Sequence, residues 1–122
     1  MLAQYLDLTE QYNNSNEGYV IIDVSNYDYV LIQSIGASGG IDLLATIDSG
    51  AITGISDGSA DSAINFAFNS VTATYLTGGN TNSQFLSDDG IYRLGVFARY
   101  LVISGGIGSS FEKLLIMLTK IS

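Results

Sequence analysis

The chain has 122 residues, of which 47% are hydrophobic and 13% charged, and its formal net charge is −8 at pH 7. This length suits one domain with a substantial core, and we expect 1–122 to be a single domain in which 1–18 form an N-terminal strand and a polar loop. Only four basic residues are present, which argues against nucleic acid or an anionic membrane as partner, and no run reaches the ~20 apolar residues of a membrane helix.

Cysteine and histidine are absent from the chain. Disulfides, thiolate metal sites and the nucleophilic triads that need either residue are therefore excluded. No phosphate-binding or dinucleotide fingerprint occurs, so we expect neither an enzyme nor a cofactor. The first residues, MLAQYLDLTEQ, lack the basic and apolar segments of a secretory signal. We expect the chain to act in the cytoplasm or in an assembled particle.

Apolar alternation between turn residues predicts short strands along most of the chain. The first four are expected at 2–9, 19–24, 29–35 and 41–47, with a further short strand at 51–55. The second of these is apolar on both faces, which predicts a buried central strand. Two stretches rich in polar and turn-forming residues are predicted to be loops, 10–18 and 77–83.

The stretch 63–76 changes its apolar parity at Asn69-Ser70. Phe66 and Phe68 share one face, whereas Val71 and Ala73 take the other. Because side chains alternate with period two along a strand, this change requires a turn, a bulge or a strand that switches sheets. All three alternatives remain open from the sequence.

The stretch 88–104, DDGIYRLGVFARYLVIS, opens with an Asp-Asp-Gly turn and holds two apolar runs separated by 97–99. This pattern predicts two consecutive antiparallel strands. A hairpin loop at 105–110 and a final element at 111–121 are expected to follow. The last run has good helix propensity, but the Gly-rich connection before it and the β character of the rest favour a strand.

Seven to nine short strands predict an all-β fold, a single antiparallel β-sandwich of jelly-roll or immunoglobulin-like type. The last strand is apolar on both faces, so we expect the core to cover one face and another chain the other. Proline, which commonly protects exposed strand edges from pairing with other chains, is absent. Unprotected edges favour a homo-oligomer, and a trimer is our first expectation. The candidate interface residues are Leu114, Leu115, Ile116, Met117, Leu118, Arg93 and Arg99.

Acidic and polar loops are the alternative candidate site. The segment 57–62, DGSADS, offers oxygen ligands for calcium but lacks the spacing of an EF-hand loop, and ordinary Asx turns explain it as well. Tyr27 and Tyr29 can stack on a sugar ring, although tyrosines at strand ends more often belong to the core or to an interface. The candidate recognition residues are Asp57, Asp61 and Asn80.

Four stretches resemble small β-sandwich structural proteins of tailed-phage virions. They are IDVSNYDYVLIQSIG (22–36), GGIDLLATIDSG (39–50), GIYRLGVFARYLVIS (90–104) and LLIMLT (114–119). The resemblance implies a head-decoration or head-fibre protein that assembles with its own copies and with virion proteins such as the major capsid protein. A loop-based module that binds a carbohydrate or a host-surface receptor is the alternative function.

Overall fold

The computed structural model describes residues 2–15, 18–47, 68–96 and 98–121. Within these ranges it contains a short helix α1 (Thr9–Asn13), a 3-10 helix (Leu76–Gly78) and ten strands. The strands are β1 (Leu2–Asp7), β2 (Tyr19–Asp23), β3 (Tyr29–Ile35), β4 (Asp42–Thr46), β5 (Asn69–Ser70), β6 (Ala73–Tyr75), β7 (Thr81–Ser83), β8 (Gly90–Gly95), β9 (Tyr100–Ser104) and β10 (Lys113–Lys120).

The described strands form two antiparallel sheets in a sandwich-like arrangement. Sheet A has six strands in the order β1-β10-β3-β8-β6-β7, and sheet B has four in the order β2-β9-β4-β5. The predicted all-β antiparallel sandwich is confirmed, with one strand more than the upper end of the expected range. The predicted strand at 51–55 lies outside the described residues.

Alternating burial along the strands places one face of each sheet in the core. Along β3 every second residue from Val30 to Ser34 is buried, and along β10 the side chains of Leu114, Ile116 and Leu118 point inward. Sheet B contributes β9, four of whose five residues are buried. Since each fully buried large aliphatic side chain stabilises the fold by about 1.5–3 kcal/mol, this interior accounts for much of the driving force for folding.

The final element, β10, is the strand that the sequence favoured over a helix. It pairs along its length with β1 on one side and with β3 on the other. These two ladders satisfy its backbone groups and bury its inward face, so tertiary context overrides its helix propensity. The prediction of a central position for β2 is wrong. It is an edge strand of sheet B that pairs with β9, and its outward residues Tyr19 and Ile21 are partly exposed.

The two strands of 88–104 are not a hairpin. β8 pairs with β3 and β6 in sheet A, whereas β9 pairs with β2 and β4 in sheet B. The chain passes from sheet A to sheet B between them: Val96 N donates to Asp28 O, just before β3, at 2.9 Å, and Arg99 N donates to Thr46 O in β4 at 3.1 Å. The prediction of a hairpin loop at 105–110 is also wrong, because this segment connects β9 of sheet B to β10 of sheet A.

The parity change at Asn69-Ser70 marks a change of sheet. β5 pairs with β4 in sheet B, with Ser70 opposite Leu44. After two intervening residues, β6 pairs with β7 and β8 in sheet A. Of the three alternatives that the sequence left open, the structure has the strand that switches sheets.

The predicted loop at 10–18 contains α1, so that prediction is wrong at its start. Thr9 N donates to the carboxylate of Asp7 at 3.1 Å, and the buried ring of Tyr12 packs edge-on against Phe111. The predicted loop at 77–83 likewise contains part of the 3-10 helix and β7. Neither described helix is long and apolar enough to cross a membrane.

Candidate interaction surface

The outer face of sheet A is built by cross-strand register. One row of directly opposed residues runs across four strands as Tyr5, Met117, Leu31 and Arg93. The neighbouring row of the same face runs as Asp7, Leu115, Gln33 and Ile91. Because directly opposed residues project from the same face of a sheet, two rows of mainly apolar side chains lie side by side there.

We call five of these residues the outer-face patch: Tyr5, Leu31, Ile91, Leu115 and Met117. The tyrosine is 74% exposed, and the other four are partly exposed. Together with Gln33 they line a shallow concavity on the sheet surface. A contiguous apolar surface of this kind, rimmed by polar residues, is typical of a protein–protein contact.

The candidate interface residues of β10 divide by parity. Leu114, Ile116 and Leu118 belong to the core and are not accessible to a partner. Leu115 and Met117 project outward into the outer-face patch. The division follows from the period of two and agrees with the expectation that one face of this strand packs in the core.

The two arginines lie on different sheets. Arg93 is on the outer face of β8, where its guanidinium carbon is 4.8 Å from the centroid of the Tyr29 ring. Arg99 precedes β9 of sheet B and lies 5.1 Å from the centroid of the Tyr100 ring. Such cation–π contacts orient a guanidinium group without neutralising its charge. Only Arg93 therefore borders the outer-face patch.

Sheet A is basic in an acidic protein. Three of the four basic residues of the chain lie on its strands, Arg93, Lys113 and Lys120, with one of the twelve acidic residues, Asp7. Two hydrogen bonds from Thr9 hold the pKa of the Asp7 carboxyl below its usual value, with a smaller contribution from the charge of Lys113. The outer face thus offers apolar area beside positive charge.

The candidate recognition residues are less informative. Asp57 and Asp61 lie outside the described residues. Asn80 is exposed in the left-handed conformation, with φ of 59°, and its N–H donates to Tyr75 O at 3.0 Å. Asparagine tolerates this conformation better than most residues, so the contacts of Asn80 explain it as a turn residue.

The acidic turn before β8 also has structural contacts. The carboxylate of Asp89 accepts a hydrogen bond from Gly36 N at 2.8 Å, which fastens the turn to the end of β3. Tyr27 donates to Gln4 Oε1 at 2.5 Å, and Tyr29 lies under Arg93, so both tyrosines make contacts within the sandwich. Among the described residues, no group of three or more Asp, Glu, His or Cys is arranged to hold a metal ion.

Sequence reasoning missed three members of the outer-face patch, Tyr5, Leu31 and Ile91. Each is an apolar residue at the outward parity of its strand. The signal was present in YVLIQSI, the sequence of β3, which is apolar on both faces. The strand order of sheet A, which is not readable from local patterns, was needed to bring these residues together.

No family model matches the sequence, and no curated protein matches it. The fold is similar to the crystal structure of SPBc2 prophage-derived protein YomS, with a TM-score of 0.60 over 97% of this chain and 94% of that chain. The two sequences are 8% identical, so the similarity concerns the fold. This chain has the fold of a prophage-derived protein.

Proposed function

We propose that the chain is a structural protein of a tailed-phage virion, a decoration or auxiliary head protein that contacts its own copies and the major capsid protein. The observation that carries this proposal is the outer-face patch, a surface of apolar side chains on a sheet whose opposite face already fills the core. The fold shared with a prophage-derived protein supports a phage setting. The chain then assembles in the host cytoplasm and works in the particle, without a catalytic step or a cofactor.

The partner surface is defined by the chemistry of sheet A. Apolar side chains at the centre of the patch lose water on contact, which supplies most of the affinity. Arg93 and Lys113 border the patch, so they favour an acidic rim on the partner and steer its approach. A capsid protein with an apolar, acid-rimmed surface is the complementary partner.

The test uses particles that lack this chain, made by deleting its gene in the phage or prophage that carries it. Purified chain is added back, and bound copies are counted by quantitative mass spectrometry. The unchanged chain is expected to bind in a fixed number of copies. Leu115→Asn and Met117→Asn should each weaken binding several-fold, because a partner covers only the part of each side chain that is exposed in the single chain, and full burial is worth roughly 1.5–3 kcal/mol.

Ile107→Asn is the matched control, because Ile107 is 85% exposed in the β9–β10 connection and is not a member of the outer-face patch. It should bind as the unchanged chain does. The proposal is wrong if particles take up no chain, or if the Leu115 and Met117 variants bind normally. If changes at Asp57, Asp61 or Asn80 abolish adsorption to a carbohydrate or a cell while uptake by particles is intact, the loop-based recognition module replaces it.

A further inference from the structure

The edge strand β1 exposes an unguarded row of backbone hydrogen-bonding groups. Among the described residues, β1 pairs with one strand, β10, along one of its two edges. The other sheet edges are β7 and β5, of three and two residues, and β2, of five residues. Natural edge strands are commonly protected by shortness, lysine or proline. β1 has six residues, LAQYLD, with neither lysine nor proline.

The hydrogen-bond pattern shows which residues face the open edge. Leu8 N donates to Leu114 O at 2.9 Å. In an antiparallel ladder bonded pairs alternate with non-bonded pairs, so Gln4 and Leu6 bond to β10. The N–H and C=O groups of Ala3 and Tyr5 must then point away from β10, toward solvent.

We propose that a second copy of this chain pairs with the first through β1, antiparallel, about a two-fold axis perpendicular to sheet A. Backbone parity requires this axis: Ala3 and Tyr5 present their groups at the edge, so bonded partners must both have odd numbers. Of the registers that this parity allows, the proposed one bonds Ala3 of one copy to Tyr5 of the other, so that Gln4 lies opposite its own equivalent on the axis. The two sheets join as one twelve-stranded sheet with the patches on the same side.

The side chains suit this register. Leu2 faces Leu6 of the second copy and Ala3 faces Tyr5, which are favourable cross-strand pairs. Leu2 is 68% and Tyr5 74% exposed in the single chain, so both gain burial. The Tyr27 hydroxyl occupies Gln4 Oε1, which leaves the NH2 group of Gln4 as a donor to the other copy.

Charge also favours a second copy at this edge. Asp7 is the only charged residue of β1, and in this register the two Asp7 side chains lie about 20 Å apart along the strands, farther than the screening length of roughly 8 Å at physiological salt. The neighbouring strand β10 carries Lys113 and Lys120. The edge strand and its neighbour thus carry one acidic and two basic residues, although the whole chain has a charge of −8.

Sedimentation of two variants at one residue tests the pairing. The unchanged chain is expected to sediment as a dimer at tens of micromolar and to dissociate on dilution, since an edge contact is small. Ala3→Pro removes an outward N–H while the bonds to β10 stay, and should sediment as a monomer. Ala3→Val keeps that N–H and should remain a dimer. Thermal unfolding checks that both variants are folded.

Cross-linking tests the register, because the chain has no cysteine of its own. On the axis, Gln4→Cys places two Cα atoms about 4.5 Å apart, which a disulfide can bridge, whereas the Cα atoms of Tyr5→Cys are too distant. Mild oxidation should give a covalent dimer with the first variant and not with the second. Asp23→Cys, on the β2 edge, should also stay monomeric under oxidation.

The proposal is overturned if the unchanged chain is a monomer or a trimer, or if Ala3→Pro does not weaken the dimer. It is also overturned if Tyr5→Cys or Asp23→Cys cross-links in preference to Gln4→Cys. Cross-linking of Gln4→Cys to another protein in place of a second copy would do the same. The proposal does not rest on the virion role, since it is measured in solution without particles. A two-fold seam predicts a dimer where composition alone suggested a trimer.

Discussion

The rings of Tyr75 and Tyr92 stack with their centroids 4.5 Å apart and their planes 12° from parallel. Both hydroxyl groups donate to carbonyl oxygens of the turn before β8, Tyr75 to Asp89 and Tyr92 to Asp88. The stacked pair therefore joins two neighbouring strands and holds the turn that starts β8. Stacked aromatic rings with satisfied hydroxyl groups stabilise beyond the area that they bury.

Alkaline pH should destabilise the fold through Tyr92, which is 1% exposed. Burial raises the pKa of Tyr92 from 10.0 to about 12, with a smaller rise from Tyr75, and the hydrogen bond to Asp88 O lowers it in part. Between these values the folded state holds a proton that the unfolded state has lost, so stability is complete below pH 10 and falls by about 2 kcal/mol as pH rises to 12.

Urea unfolding at pH 9 to 12 measures this dependence, and Tyr92→Phe provides the control. The variant lacks the ionisable group, so its stability should fall less steeply across the same range, although it is lower at pH 9 because the bond to Asp88 is lost. Parallel curves for the two proteins would contradict the assignment.

A side chain at Gly90 should disrupt the same turn. Gly90 has φ of 148°, and a Cβ there would lie 2.1 Å from Thr77 Oγ1 and 2.5 Å from Tyr75 Cε1. Gly90→Ala is expected to cost about 1–3 kcal/mol, because the backbone is strained and the Tyr75 ring must move. Gly95→Ala, at the other end of β8, meets nothing within 4 Å and should have little effect in the same thermal melt. Equal losses would refute the role of the turn.

Asn13 should matter more to stability than its neighbour. Its side chain donates to Phe111 O at 2.7 Å and accepts from Phe111 N at 2.9 Å, which fastens α1 to the segment before β10. Asn13 is exposed, but Asn13→Ala removes the partner of both the N–H and the C=O of the buried Phe111, so we expect a loss of about 1–3 kcal/mol. Asn14→Ala, exposed at the end of α1, should lose much less. Chemical denaturation of the two variants measures this difference. Indistinguishable midpoints would contradict the role of Asn13 in fastening α1.

Alternating positions of β10 should separate folding from association. Ile116→Asn puts a polar amide into the core and should lower stability by more than about 3 kcal/mol. Met117→Asn changes a partly exposed side chain and should stay within about 1 kcal/mol of the unchanged chain. Circular dichroism during thermal unfolding distinguishes them. Similar melting temperatures for both variants would contradict the inward and outward assignment.

Local patterns predicted the class of fold because burial alternates with the period of the strand. The strands around Val30 and Leu114 and the turn at Gly90 were readable in this way. The pairing of β8 and β9 was not, since an Asp-Gly turn and two apolar runs do not specify which sheet receives each run. Helix α1 was missed because its five residues are polar except for Tyr12, whose burial depends on Phe111 at the far end of the chain.

Part of the candidate surface was predicted from the same alternation along a single strand. Leu115 and Met117 follow from one strand with apolar residues on both faces. Tyr5 and Leu31 join them through strand order, which places β1 and β3 on either side of β10. Arg93 was a candidate because the chain has few positive charges, and the structure places it on sheet A beside the patch.

The position of β10 between β1 and β3 has a consequence for the order of folding during synthesis. Leu2 pairs with Lys120, and β10 lies within sheet A although it follows every other described strand in the sequence and is therefore made after them. Until then β1 and β3 lack the strand that joins them, and their core faces stay open. Pairing so distant in sequence slows folding and lengthens the exposure of unpaired edges, so a nascent chain halted before residue 113 should depend on chaperones, whereas sheet B, complete once β9 has emerged, can form earlier.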